Sequence, residues 1–161
     1  LAYADGLTNL PNRAKADKEL EELKNETNDY CIISIDLNGL KLVNDKFGHP
    51  TGDKYIKDFA KVISTTFGEN DFCARIGGDE FIAIIKNSST KDIPSMIDRM
   101  NSALNVMNAL YSEYKRSVAT GFAFLHEFEE NNPHEVYLLA DQRMYENKKI
   151  MHEQLGIHAR L

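Results

Sequence analysis

Arg75-Ile76-Gly77-Gly78-Asp79-Glu80-Phe81 sets two carboxylates beside a pair of glycines, with Phe72-Cys73-Ala74 leading in and Phe81-Ile82-Ala83-Ile84-Ile85 leading out. Apolar runs of that length separated by Gly-Gly read as a β-hairpin, because paired glycines tolerate the positive φ of a tight turn. Asp79 and Glu80 then project from a rigid edge. Adjacent acids repel unless a cation or a proton joins them, so the turn points to a divalent-metal site. Taken alone, it reads more simply as an ordinary acidic turn.

Upstream, Tyr30-Cys31-Ile32-Ile33-Ser34-Ile35-Asp36 is nearly continuous in apolar and β-branched residues, the pattern of a central strand covered on both faces. Asp36 emerges at its C-terminal end, where α/β sheets commonly present ligand-binding groups. The stretch Leu37 to Asp53 mixes a short helical piece with a Gly/Pro-rich loop and carries Asn44, His49 and Asp53, each able to hydrogen-bond a planar polar ligand. Tyr55, Ile56, Phe59, Val62, Ile63 and Phe67 then recur at helical spacing, with Gly68 placed to end the helix.

The chain opens on the turn-rich Asp5 to Asn12, whose last residue starts a helix; Asp5 and Arg13 read as a local ion pair or cap. After the hairpin, Ile93, Met96, Ile97, Met100, Leu104, Met107, Leu110 and Tyr114 mark a long amphipathic helix that the core uses fully. Ser117 to Leu125 reads as a strand in which Gly121 allows close backbone approach. Glu127 to Asn132 reads as a solvated loop. From Pro133, the residues Val136, Tyr137, Ala140, Met144 and Lys148 trace a last helix with Lys148 on or near its inward stripe, a position where lysines ordinarily snorkel to the surface. The order α, β, α, α, β, β, α, β, α describes one mixed α/β domain, in which acids from a strand end and a hairpin meet across neighbouring strands. Two-metal phosphoryl transfer needs such carboxylates from separate elements.

Composition narrows the partners. A chain of 161 residues, 42% of them hydrophobic, suffices for one core, and a net charge of −6 disfavours broad binding to a nucleic-acid backbone. No run approaches the about 18 apolar residues of a membrane span, and Cys31 and Cys73 sit in apolar strands without metal-ligand spacing, which fits a reducing cytoplasm. Because it starts at Leu1, residues 1–161 are expected to be a single domain of a longer regulated protein, one that a membrane anchor could tether.

Four ordered motifs converge on one pattern. Asp5 to Arg13 resembles D-x-L-T-x-L-P-N-R; Asp36 to Asp53 resembles D-x-D-x-F-K-x-x-N-D-x-x-G-H-x-x-G-D; Gly77 to Phe81 spells G-G-D-E-F; Ala140-Asp141 through Tyr145 and Lys148 resembles A-D-x-x-x-Y-x-x-K. From Asp5 to about Lys149 the chain resembles a GGDEF domain of the diguanylate cyclase family. The resemblance implies an α/β (α+β) fold with a central, mostly antiparallel sheet flanked by helices. It also implies condensation of two GTP into cyclic di-GMP with release of pyrophosphate, dependent on Mg²⁺ or Mn²⁺. By matching position, Asp36, Asp79, Glu80 and the Leu37 carbonyl would form the metal site. Asn44, His49 and Asp53 would line the guanine pocket. Gly39, Leu40, Lys41 and Lys148 would meet the triphosphate, beside Gly77 and Gly78. Asp36, Asp79, Glu80 and Lys148 would carry catalysis. A homodimer would be needed for turnover, with the isolated domain mostly monomeric because no a/d heptad run is present.

Departures from the pattern matter too. The family's R-x-x-D product-inhibition motif here reads Gly68-Glu69-Asn70-Asp71, Asn38-Gly39-Leu40 replaces acidic and aromatic residues, and Met151-His152-Glu153 stands where G-R-N is usual. His152 in place of a phosphate-facing arginine leaves two function classes open: an active cyclase, or a regulatory module that holds GTP without turning it over. The missing arginine at Gly68 argues against a cyclic di-GMP receptor.

Overall fold

All eight residues of strand β1 (Tyr30–Leu37) are buried in the computed structural model, which describes residues 2–154. A strand that is apolar at both parities needs neighbours on both edges and cover on both faces. Strand β3 (Glu80–Lys86) pairs with one edge and β4 (Val118–Phe124) with the other, while β2 (Phe72–Arg75) lies outside β3. The sheet order is β2-β3-β1-β4, antiparallel throughout, as the sequence led us to expect. Cys31, Ile33, Ile35 and Leu37 face a core built with α3 (His49–Thr66) and α4 (Ile93–Leu110). Tyr30 and Ile32, of opposite parity, face a second core with α1 (Arg13–Glu22) and α5 (Pro133–Gln154). A shorter helix, α2 (Leu40–Phe47), leads from β1 into α3.

Edge strand β4 would offer free backbone groups, and side chains from α5 and the adjoining turn engage them. Asn147 Oδ1 accepts from Thr120 N at 3.0 Å, Arg143 Nη1 donates to the Phe122 carbonyl at 2.9 Å, and Glu127 Oε2 accepts from Phe124 N at 2.9 Å. The helix lies so close that a Cβ on Gly121 would collide with the Met144 amide and the Ala140 carbonyl, which confirms the close approach expected there.

Four expectations are corrected. The stretch from His49 to Asp53 is the first turn of α3 rather than a loop: Gly48, with φ +92°, precedes the helix, and Pro50 falls in the first turn, where its missing N–H is not needed. Gly68 does not cap α3; the helix ends at Thr66 and Phe67 turns extended. Helix α4 ends at Leu110, so Tyr114 lies outside it. Val106 and Leu110 are 60% and 69% exposed, so the core does not use the whole of α4, although Leu104 is buried and Met107 still packs on it. The acidic loop is solvated as expected, with Glu127, Glu129, Glu130 and Asn132 exposed, and it is anchored as well: Asn131 accepts from Tyr30 Oη at 2.6 Å and donates to the Leu23 carbonyl at 2.8 Å, while Glu127 pairs with Arg143. Among the described residues no helix is long and apolar enough to cross a membrane, and both cysteines are free.

The Gly121 contact is with helix backbone, which cannot step aside as a side chain can. Gly121→Ala is therefore expected to destabilise the domain by on the order of 3 kcal/mol; chemical denaturation checks this, and an unchanged midpoint would show that α5 can lift from the strand.

Candidate active site

Strand alternation sends Ser34 and Asp36 to the α5 side of the sheet. Ser34 Oγ donates to Asp141 Oδ1 at 2.8 Å, and Lys148 Nζ donates to Asp36 Oδ2 at 2.9 Å. Lys148 is 7% exposed and Asp36 5%, so the lysine is no snorkelling surface residue but one half of a buried pair. The β1–β3 register places Asp36 opposite Glu80, and Leu37 N donates to the Asp79 carbonyl at 2.9 Å, which seats Asp79 beside the same strand end. The result is a crowd of negative charge. Burial pushes the Asp36 carboxyl up to about 6, against the pull of Lys148 and with Asp79 and Glu80 adding to the rise. Glu80 is raised as well, by burial first and then by Asp79 and Asp141.

The turn between β2 and β3 closes with Ile76 N and Gly77 N both donating to the Glu80 carbonyl, at 2.9 and 3.3 Å. Neither glycine has positive φ, contrary to the expectation; among the described residues the positive-φ glycines are Gly39 and Gly48. Gly77 lies close against the Glu80 side chain, where a Cβ would stand 3.1 Å from the carboxyl carbon, and around Gly78 the surface is open. Arg75 Nη2 holds the Gly78 carbonyl at 2.9 Å while its Nη1 reaches both Asp5 carboxylate oxygens at 3.2 Å. Asp5 thus pairs with Arg75 and Thr8 rather than with Arg13. Burial alone would raise the Asp5 carboxyl, but Thr8 and Arg75 outweigh it and hold it low.

The remaining expected residues lie on α2 and the start of α3. Gly39, at φ +71°, precedes α2, and the Leu40, Lys41 and Leu42 amides open the helix without intrahelical partners. Lys41 is exposed, 3.7 Å from Asp45. Asn44 lies so tightly against Gly52 that a Cβ there would strike its Oδ1. His49 and Asp53 are exposed, one turn apart on α3. His152 sits one turn beyond Lys148, 2% exposed, with no hydrogen-bond partner on either ring nitrogen. Burial and the Lys148 charge lower its pKa, so a buried, largely uncharged ring occupies the position.

Sequence reasoning missed three contributors. Arg75 and Asp141 stood inside quoted motifs, which was the available signal. Tyr55 gave none, being one apolar-stripe residue among several, yet its Oη donates to the carbonyls of Asn38 and Ser117 at 2.8 Å and accepts from Ser117 N at 3.0 Å.

Among the described residues no three His, Cys, Asp or Glu side chains are arranged to hold a metal ion. The donors at this strand end are oxygens, carboxylates with a nearby backbone carbonyl, and Asp36 already has Lys148 on one of them. That set fits Mg²⁺, which commonly takes one or two carboxylates and completes its shell with phosphate oxygens and water. A cation would also offset the charge that raises Asp36 and Glu80.

A four-stranded antiparallel sheet that carries the G-G-D-E-F turn beside a buried Asp–Lys pair defines a GGDEF-type domain. A family model described as "Diguanylate cyclase, GGDEF domain" matches residues 2–154, and the chain belongs to that family. It is 31% identical over 155 residues to the probable diguanylate cyclase DgcT of Escherichia coli (strain K12), covering 92% of this chain and 34% of the relative. It is 30% identical over 161 residues to the diguanylate cyclase DgcP of Pseudomonas aeruginosa, covering 97% of this chain and 24% of the relative. The chain thus spans only a quarter to a third of these relatives' length. The crystal structure of the GGDEF domain of DgcB from Caulobacter crescentus, in complex with c-di-GMP, superposes with a TM-score of 0.80 at 28% identity, covering 92% of this chain and 91% of that one.

The raised Asp36 carboxyl has a definite sign in stability. Its folded pKa of about 6 exceeds the ordinary 3.8, so between those values the folded state holds the extra proton. The group therefore favours folding as pH falls through 6, and the gain is complete below 4. Thermal melts of the metal-free domain across this range should show wild type gaining on Asp36→Asn as pH falls, by on the order of 3 kcal/mol; a constant difference would mean that Asp36 titrates normally.

Proposed function

We propose that this domain is a diguanylate cyclase, condensing two GTP into cyclic di-GMP with release of two pyrophosphates. The observation that carries this reading is the buried Asp36–Lys148 pair, set opposite Glu80 and beside Asp79 in a chain of the GGDEF family. Asp36, Asp79 and the Leu37 carbonyl would hold Mg²⁺, with Mn²⁺ as a substitute and Glu80 completing the acidic cluster. Bound there, the cation neutralises triphosphate charge and polarises the attacked phosphorus. Lys148 and the amides of Gly39, Leu40 and Lys41 orient the phosphates. Gly77 and Gly78 leave room beside them. Asn44, His49 and Asp53 receive guanine; Asp53 accepts from its N1–H and N2 amine, groups that adenine does not offer at those positions.

In each step a 3′-oxygen forms its bond to the α-phosphorus of the other GTP as the bond to the β-phosphate oxygen breaks, and the hydroxyl proton leaves to an acceptor. One domain cannot align two such pairs, so the reactive species is a twofold pair of domains, in a cytoplasmic setting. A second reading, a GTP-binding regulatory module, draws on one observation: His152 is buried and lowered in pKa, so it supplies no ready cation for phosphate.

Incubation with Mg²⁺ and GTP followed by mass spectrometry tests the reading. Wild type should yield cyclic di-GMP, and Asp79→Asn should reduce the yield by at least about a hundredfold while keeping its melting profile, since Mg²⁺ loses a hard anionic ligand. Asp79 is the better site than Asp36, whose loss leaves Lys148 buried without its counter-ion. GTP that binds saturably and is recovered unchanged would favour the second reading. Assembly has its own test: specific activity at saturating GTP should fall on dilution as the pair dissociates, and a parallel dimerising helix fused ahead of Leu1 should restore it. Activity that stays flat where sedimentation shows only monomer would defeat the paired mechanism.

A further inference from the structure

Behind α2 lies a cavity of about 340 Å³ that shares only Gly39 with the cyclase reading. Leu42, Val43 and Phe47 of α2 form one wall, Tyr114 and Lys115 the other, and Asn38 lines it too. The site proposed for guanine uses Asn44, His49 and Asp53, and none of them lines this cavity. Its volume falls within the range of small-molecule sites. Two aromatic rings stand together there, Phe47 and Tyr114, with centroids 6.1 Å apart and planes at 48°.

One polar group of the lining residues is unsatisfied. Asn38 is 4% exposed; its Nδ2 is engaged by Ser117 Oγ at 3.0 Å and Met151 Sδ at 3.5 Å, and its Oδ1 has no partner. Tyr114 Oη is likewise shielded from solvent, with the Arg116 side chain beside it. Shielded groups without partners are rare in folded proteins, because each forfeits its hydrogen bonds to water. Tyr114 belongs to residues 111–117, which form no helix or strand, and its ring is held in place by Tyr55, with centroids 5.4 Å apart, and by the Arg116 guanidinium 4.3 Å from its centroid, so it offers a fixed wall. Lys46 and Lys115 against Glu113 leave the lining one net positive charge, which suits a single carboxylate better than a polyphosphate.

We propose that this cavity is a second ligand site, for a planar aromatic carboxylate bearing one ring N–H or O–H donor, and that its occupancy acts on GTP binding from behind the phosphate loop. The ring packs against the Phe47–Tyr114 pair, its donor meets Asn38 Oδ1, and its carboxylate meets Lys46 or Lys115. Transmission has a physical route. Asn38 sits between Leu37 and Gly39, its backbone N donates to the Ser117 carbonyl at 2.8 Å, and Tyr55 Oη bridges the carbonyls of Asn38 and Ser117. A ligand that fixes Asn38 thereby fixes the start of α2. Binding stands on the cavity alone; the effect on GTP rests on the cyclase reading.

Indole-3-acetate serves as the probe, and naphthalene-1-acetate, of similar shape without the donor, as its control. Titration followed by amide and side-chain NMR should show saturable shifts confined to Asn38, Val43, Phe47, Tyr114 and Lys115, with the control binding about tenfold more weakly. Leu42→Trp should fill the cavity and weaken binding at least tenfold while leaving the melting profile unchanged. No saturable shift at low-millimolar probe, shifts elsewhere, equal affinity of the two acids, or insensitivity to Leu42→Trp would each overturn the site. With the probe bound, the KM for GTP should change severalfold, and an unchanged KM would overturn the regulatory half. If the domain makes no cyclic di-GMP, the cyclase reading fails by itself: the NMR titration still decides the site, and calorimetric GTP affinity replaces KM.

Discussion

The contact between Lys148 Nζ and Asp36 Oδ2, 2.9 Å long and buried, is the constraint on which the rest depends. Two charges withdrawn from water are tolerated only when geometry and further partners repay the desolvation. Here the lysine comes from α5, the carboxylate from the end of the central strand, and Asp79 and Glu80 from across the neighbouring strand. Burial first, and then the neighbouring carboxylates that one lysine does not neutralise, make Asp36 and Glu80 both hold their protons more tightly than usual. A site in that condition is prepared for a cation and for the phosphates that accompany one.

Holding α5 at that depth requires the rest of its length to lie flat on the sheet. Gly121 permits the approach, and Asn147 and Arg143 engage the open edge of β4 along the way. On the other side of the sheet, Tyr55 ties the end of β1 to the Ser117 backbone, fixing the direction in which the chain leaves toward α2. The acidic cluster and the start of α2 are therefore positioned by two independent sets of contacts, one on each face.

The departure at His152 gains meaning in this setting. Replacing a flexible cation by a ring that packs beside Lys148 removes a charge from the phosphate side and adds a buried group without partners. Asn38 Oδ1 is also unsatisfied, and its Nδ2 contacts Met151, the residue before His152. These substitutions sit at one end of the sheet, behind the proposed phosphate site, so this chain differs from its family's pattern where substrate would be oriented and keeps it where a cation would be held.

Much of this was legible in the residues. Apolar runs at both parities marked β1 as central with Asp36 at its end, and the i, i+4 recurrence of Val136, Ala140, Met144 and Lys148 put the lysine on or near the inward stripe, because strand and helix periods are local properties of the chain. The sequence could not say that Lys148 meets Asp36, that Asp5 pairs with Arg75 rather than Arg13, or that His49 to Asp53 continues a helix despite its glycine and proline. It also could not say that Gly77 lies close against the Glu80 side chain without a positive φ. Those outcomes depend on which groups far apart in sequence are brought within hydrogen-bonding distance, and on how closely α5 and α2 approach the sheet. Pairing across a register and packing against a neighbour are settled only when the whole chain closes on itself, and that closure turned a strand-end acid and a helix lysine into one buried pair.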